Sequence, residues 1–191
     1  MSKGDSALLF NTYTRLFGSS FDMLNNFKPF FVSAMFMMAY LPKEQPEAMD
    51  MHFLELARKA NKQVLSIEEF KDQMYAVDQI TMKDQSKMLM EGIKDSTSWM
   101  KDYDKMRNAY VSNDLDKLFI LMQDTSLPAN FNQAFLVDRN GKMAKNIGTY
   151  CLSQSTFCAI GAAHLPGEKG VLALLRKEGF RLRPILVSFK Q

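Results

Sequence analysis

The stretch Gly161-Ala-Ala-His-Leu-Pro-Gly167 sets one of only two histidines at the end of a compact apolar run, Thr156 to Ala163, that reads as a strand. In an open α/β sheet, ligands gather outside the carboxyl ends of strands, so His164 is aimed at a cleft. Gly161 lets the backbone approach closely there, and Pro166 with Gly167 turns the chain into the next helix. Most imidazole chemistry needs partners, so His164 either serves a site or merely hydrogen-bonds its own loop. The other histidine, His52, falls within a helical pattern and reads as a surface or interface residue. Cys151 and Cys158 are too few for a disulfide framework, and their separation is not a zinc-knuckle spacing. They read as two buried free thiols, with a disulfide open to them if the protein is exported.

The elements that must position these residues are helical over the first two-thirds. Asp5 or Ser6 caps a helix with Leu9, Tyr13, Leu16 and Phe17 inside and Gly18 as its stop. Pro29 opens a helix that runs to Leu41 and closes at Pro42, and because it is apolar all round it should be surrounded by protein. Glu47 to Lys62 repeats the pattern with Met49, Phe53, Leu54 and Ala57 on one face. Gln63 to Ile67 has strand character and leads into Glu68, Glu69 and a further helix. One long helical stretch covers Met82 to Tyr110, and a helix capped near Asn113 and Asp114 ends before Pro128. The last third alternates: an amphipathic helix over Arg139 to Leu152, the strand Thr156 to Ala163, a helix from Gly167 to Glu178, and a strand from Phe180 to Phe189 with Pro184 at a sheet edge.

This pattern predicts a helix-rich α/β fold with a small, mostly parallel sheet flanked by helices, as one domain over residues 1–191. A chain of this length can bury roughly 70% of its unfolded-state surface. Its composition, 47% hydrophobic and 24% charged, is that of a soluble globular protein. The net charge of +3 is interspersed, and the densest basic cluster (Arg176, Lys177, Arg181, Arg183, Lys190) has few aromatics at the spacing of a base-stacking platform, so no nucleic-acid partner is expected. No apolar run reaches the roughly 20 residues that span a bilayer, and "ALLF" near the start is too short for the core of a signal peptide.

The segment from Val137 to Ile185, "VDRNGKMAKNIGTYC…TFCAIGAAHLPGEKGVLALLRKEGFRLRPI", resembles the C-terminal part of the TraB/GumN family, which includes the TIKI metalloproteases. The family pattern is an Arg-Asn pair opening a helix, then a Gly-x-x-His-Leu-x-Gly turn from strand to helix; Arg139, Asn140, Gly161, His164, Leu165 and Gly167 take those positions. Upstream, "MDMHFLELARKANKQVLSIEEFKDQ" resembles the helix, strand and Glu segment, with Glu68 and Gln73 at the acidic and glutamine positions and Ser66 where a glycine is usual. "AYVSNDLDKLF" is similar to a helix-to-helix turn, so the likeness runs through nearly the whole chain. Family members begin with a strand and a first Gly-x-x-His motif, and no such motif precedes Glu68 here. The expectation is a fold incomplete at its N-terminus.

What the resemblance implies is a bacterial, metal-dependent peptidase-like hydrolase acting on a peptide or protein. His164 is the implied metal ligand, Glu68 a ligand or general base, Arg139 a stabiliser of the developing oxyanion, and Asn140 an orienting group. A site for manganese, cobalt or zinc needs about three protein ligands and an open position, and Glu68 with His164 supplies two. The chain is thus expected to be inactive alone, or to bind peptides without cleaving them in the manner of the pheromone-shutdown proteins. Its 15 Met and 15 Phe could adapt such a cleft to varied peptides, although most fall at the spacing of core. Unpaired strands and the helix from Pro29 to Leu41 would favour self-association. The resemblance also implies export or a periplasmic location, without a leader to direct it.

Overall fold

Acceptor side chains of Ser2, Thr81, Asp95 and Asp114, Pro29 in a first turn, and left-handed Gly18 and Gly179 set several of the helix limits. The computed structural model describes residues 2–18, 26–41, 48–123, 128 and 130–185. Among these residues nine α-helices follow one another: α1 (Lys3–Phe17), α2 (Pro29–Tyr40), α3 (Met49–Lys59), α4 (Phe70–Asp78), α5 (Met82–Lys94), α6 (Ser96–Val111), α7 (Leu115–Met122), α8 (Asp138–Ser153) and α9 (Val171–Lys177). Ser2, not Asp5 or Ser6, caps α1 by accepting from the Asp5 N–H at 3.0 Å. Gly18 ends that helix at φ 64°, a left-handed conformation that costs glycine little. Pro29 holds the first turn of α2, where its missing N–H is not needed. The expected stop at Pro42 and the start at Glu47 lie outside the described residues.

The single long helix expected from Met82 to Tyr110 is two helices. Asp95 leaves helical conformation at φ −134° and ψ 67°, and its carboxylate accepts from the Ser98 N–H at 2.9 Å, so the chain restarts as α6 on a new cap. Thr81 and Asp114 cap α5 and α7 in the same way.

Two apolar clusters result. The first joins Leu9 and Tyr13 of α1, Val32 and Phe36 of α2, and Leu89, Met90 and Ile93 of α5. Buried Gln85 fastens it to α4: its Nε2 donates to Val77 O and Ile80 O at 3.1 and 2.9 Å, and its Oε1 accepts from Phe30 N–H at 3.3 Å. The second cluster joins Met143, Ala144 and Ile147 of α8 to Val171 and Leu175 of α9, with Ile67, Cys158, Ile160, Phe180 and Leu182 packed around them. Only part of α2 is enclosed, since Met38 on its far side is 72% exposed. No helix among the described residues is long and apolar enough to cross a membrane.

The expected sheet is absent from the described residues, and the α/β assignment is corrected to an all-helical one. Gln63–Ile67, Thr156–Ala163 and Phe180–Ile185 have the composition of strands, and 156–160 even alternates, with Cys158 and Ile160 turned into the second cluster and Phe157 73% exposed. A strand also needs a backbone partner, and no main-chain ladder joins these segments. Side chains of α8 take the carbonyls of Ser66 and Ile67 instead, and Ala162–His164 is a turn of 3₁₀-helix. Residues 186–189 of the third expected strand lie outside the described residues. The two cysteines are free thiols; Cys151 is exposed rather than buried, while burial, with Cys151 beside it, pushes the Cys158 thiol up.

Glycine substitutions in the helices should separate packing from propensity. A β-carbon on buried Gly92 would land inside the Trp99 indole where α5 meets α6, whereas one on Gly141 meets nothing within 4 Å. Gly92→Ala is therefore expected to destabilise the protein by about 1–3 kcal/mol, and Gly141→Ala to stabilise it by roughly 0.5–1 kcal/mol. Urea midpoints of the two variants moving in the same direction would contradict this account of the contact between α5 and α6.

Candidate functional site

Immediately before α8 the helix widens. Gln133–Val137 forms a π-turn in which the Asp138 N–H bonds back to Gln133 O, the kind of local expansion that re-aims the side chains that follow. Arg139 and Asn140, in the first turn of α8, are those side chains. Arg139 donates through Nη1 to Phe135 O at 3.2 Å, and through Nε and Nη2 to Glu68 Oε2 and Oε1 at 2.7 and 2.6 Å. The pair is largely desolvated, with 15% and 13% of the two side chains exposed. Gln73, one turn into α4, adds a bond from Nε2 to Glu68 Oε1 at 3.0 Å.

The chain around Glu68 is held by the same helix. Lys142 Nζ lies 2.6 Å from Asp72 Oδ2, Asn146 Nδ2 donates to Ile67 O at 2.9 Å, and Tyr150 donates to Ser66 O at 3.0 Å. With Arg139 these positions recur at intervals of three or four residues, so they form one polar stripe of α8.

Asn140 faces the other way and is 3% exposed. Its Nδ2 donates to Lys169 O at 2.9 Å, which turns its Oδ1 toward His164 Nδ1, 2.7 Å away. An amide oxygen can only accept, so the hydrogen sits on Nδ1 and the lone pair of the neutral ring on Nε2. Burial holds the His164 pKa below 6.5, the Arg139 charge lowers it further, and Glu68 opposes with a smaller effect. The turn that carries His164 closes through His164 N–H to Gly161 O at 3.0 Å and Gly170 N–H to Gly167 O at 3.1 Å. Gly167, at φ 82° with Phe119 pressed against it, is the position where glycine is needed. Gly161 is not, because a β-carbon there would meet His164 at an ordinary 3.6 Å.

Glu68, Arg139, Asn140 and His164 thus meet in one region, as two linked pairs. For Glu68, burial favours the neutral acid, but the Arg139 hydrogen bond and charge, helped by Gln73, outweigh it and hold the pKa below 4.5. The carboxylate is ionised and fully engaged, hence a weak base. His164 Nε2 is the better base or ligand. Among the described residues no three His, Cys, Asp or Glu side chains gather as a metal site would require. With Glu68 committed to Arg139, the donors present do not fit a metal centre. His52 is exposed on α3, its ring against Phe53. On the far side of Asn140 opens a cleft of about 650 Å³, walled by Phe119 and Met122 of α7, Leu136 and Val137 of the π-turn, and the turn from Pro166 to Gly170.

The sequence matches the TraB/PrgY/gumN family over residues 3–184. The chain belongs to that family. Comparison with curated proteins and with solved structures returned no match. Within this TraB/PrgY/gumN chain, several working parts escaped sequence reasoning. The Lys169 carbonyl that sets the face of Asn140 carries no signal in residue type, nor does the π-turn. The polar stripe at Arg139, Lys142, Asn146 and Tyr150 did carry one, in its helical period, and could have been read beside the apolar face at Met143 and Ile147.

Two measurements probe this geometry. Long-range proton–nitrogen spectra at neutral pH should find His164 uncharged with the hydrogen on Nδ1. Asn140→Ala should scramble that tautomer and cost roughly 1–3 kcal/mol through the Lys169 carbonyl left without its donor; an unchanged tautomer in the variant would refute the assignment. For Glu68 the folded pKa lies below the unfolded 4.5, so the folded chain binds fewer protons. Its contribution is fully present above pH 4.5 and is lost as pH falls through the folded value. Glu68→Gln should flatten the acid limb of urea midpoint against pH relative to the parent chain. Parallel limbs would remove the claim.

Proposed function

We propose that this TraB/PrgY/gumN-family chain binds peptides at the cleft beside Asn140 and that Glu68, Arg139, Asn140 and His164 form a frame of hydrolase type that is not catalytic by itself. The observation that carries this is the double commitment of Glu68 to Arg139, which takes that carboxylate out of use as base or ligand, while His164 stays a neutral imidazole bonded to Asn140, a residue of the cleft wall. Such a frame can accept a peptide N–H at His164 Nε2 without acting on the neighbouring carbonyl. Support also comes from the walls of the cleft, where methionine and aromatic side chains accept varied apolar groups.

A second reading, metal-dependent peptide hydrolysis, is favoured by Asn140, because an oxygen that holds Nδ1–H fixes the tautomer in which Nε2 is bare and able to ligate an ion. Manganese, cobalt or zinc would need further donors from beyond the described residues. Calorimetry with a random peptide library separates the two readings. Binding is expected in the presence and absence of chelator, weakened about tenfold, equivalent to roughly 1.4 kcal/mol, by Asn140→Ala. Cleavage appearing on addition of one of the three metals would establish the second reading, and a library that neither binds nor is cut would eliminate both.

A further inference from the structure

The cleft beside Asn140 is more specific than a greasy surface. Its lining is mainly apolar, with Phe119 and Met122 from α7, Leu136 and Val137 from the π-turn, and Pro166 and Gly167 from the turn before α9. Phe119 can lie against the turn only because Gly167 lacks a side chain, since a β-carbon there would sit 2.6 Å from the ring. Glu168 and Lys169 contribute one charge of each sign to the lining, so its formal charge sums to zero and favours neither sign of side chain. Gln123 and Asn132 also line it, and among the described residues neither side-chain amide has a hydrogen-bond partner. A carboxamide offers a donor and an acceptor on one plane, which is what a peptide group presents in return. The volume, about 650 Å³, falls within the ~300–1,000 Å³ of small-ligand pockets and exceeds one side chain, leaving room for the main chain attached to it.

We infer that this cleft is a side-chain subsite selecting an uncharged aliphatic or aromatic residue of a peptide, with the carboxamides of Gln123 and Asn132 pairing with the main-chain amides on either side of that residue. The inference rests on the peptide-binding reading above and narrows it to a substrate class. Gln123 and Asn132 are positioning residues here, and Leu136 and Met122 set the size of the group admitted.

The test uses the full chain labelled with carbon-13 at its methionine methyl groups, and three probes: the N-acetyl amides of leucine, lysine and aspartate. The Met122 methyl resonance, assigned by Met122→Leu, is expected to shift with leucine amide at a half-saturating concentration at least about tenfold below that of the other two, from burial of the aliphatic side chain. Gln123→Ala with Asn132→Ala should weaken leucine amide about tenfold through two lost hydrogen bonds. Leu136→Trp, which fills the cleft, should abolish the shift, and Met122→Trp, observed through the remaining methyl groups and the indole, repeats that test if the first variant does not fold. Equal half-saturation by the three amides, or a shift that survives filling of the cleft, overturns the subsite. A leucine-selective shift in a protein that binds no peptide from the library would leave the subsite standing and remove the peptide reading instead.

Discussion

Everything in the second half of the molecule depends on one helix face gripping one stretch of chain. Arg139, Lys142, Asn146 and Tyr150 of α8 reach Glu68, Asp72, Ile67 O and Ser66 O, and the adjacent face of α8 packs Met143, Ala144 and Ile147 onto α9. The apolar face fixes the rotation of the helix, and the polar face uses that rotation to fix Glu68. A desolvated ion pair is strong only when its geometry is good, because the cost of removing both charges from water must be recovered by short, directed bonds. The bidentate fork of Arg139 at 2.6 and 2.7 Å, the further donor from Gln73, and the tie from Nη1 to Phe135 O meet that condition.

That grip decides which group can do chemistry. A carboxylate that already accepts from Arg139 through both oxygens has little affinity left for a proton, and its low pKa is the same fact stated thermodynamically. The imidazole has the opposite history: it is stripped of water beside a cation, so it stays neutral, and Asn140 dictates which nitrogen is bare. Arg139 therefore acts on both groups, holding Glu68 charged and His164 uncharged.

Helix limits were legible in the residues themselves wherever a local rule decides them: Gly18 and Gly179 in left-handed conformation, Pro29 in a first turn, Asp114 as a cap. The break at Asp95 was written just as locally, in an aspartate followed three residues on by the Ser98 N–H it accepts. Family resemblance singled out Glu68, Arg139, Asn140 and His164, and the coordinates add that they stand as two neighbouring pairs; residue type and spacing do not set their roles, because Glu68 as ligand and Glu68 as the anchor of Arg139 require the same residue at the same position. The deciding information is the distance between two residues 71 positions apart.

The expected strands show where period-two patterning stops being sufficient. Alternation at 156–160 satisfies the side chains, which need only an apolar surface on one side, and α8 with α9 provides it. A sheet imposes the second requirement that main-chain groups find a neighbouring strand, and among the described residues Ser66 and Ile67 give their carbonyls to Tyr150 and Asn146 instead. A helix that donates from its own side chains has in effect taken the place of an adjacent strand for two of the groups a ladder would use. The consequence for the site is direct: Glu68 follows those two carbonyls without a break, so the bonds that replace the ladder are also the bonds that aim the carboxylate at Arg139.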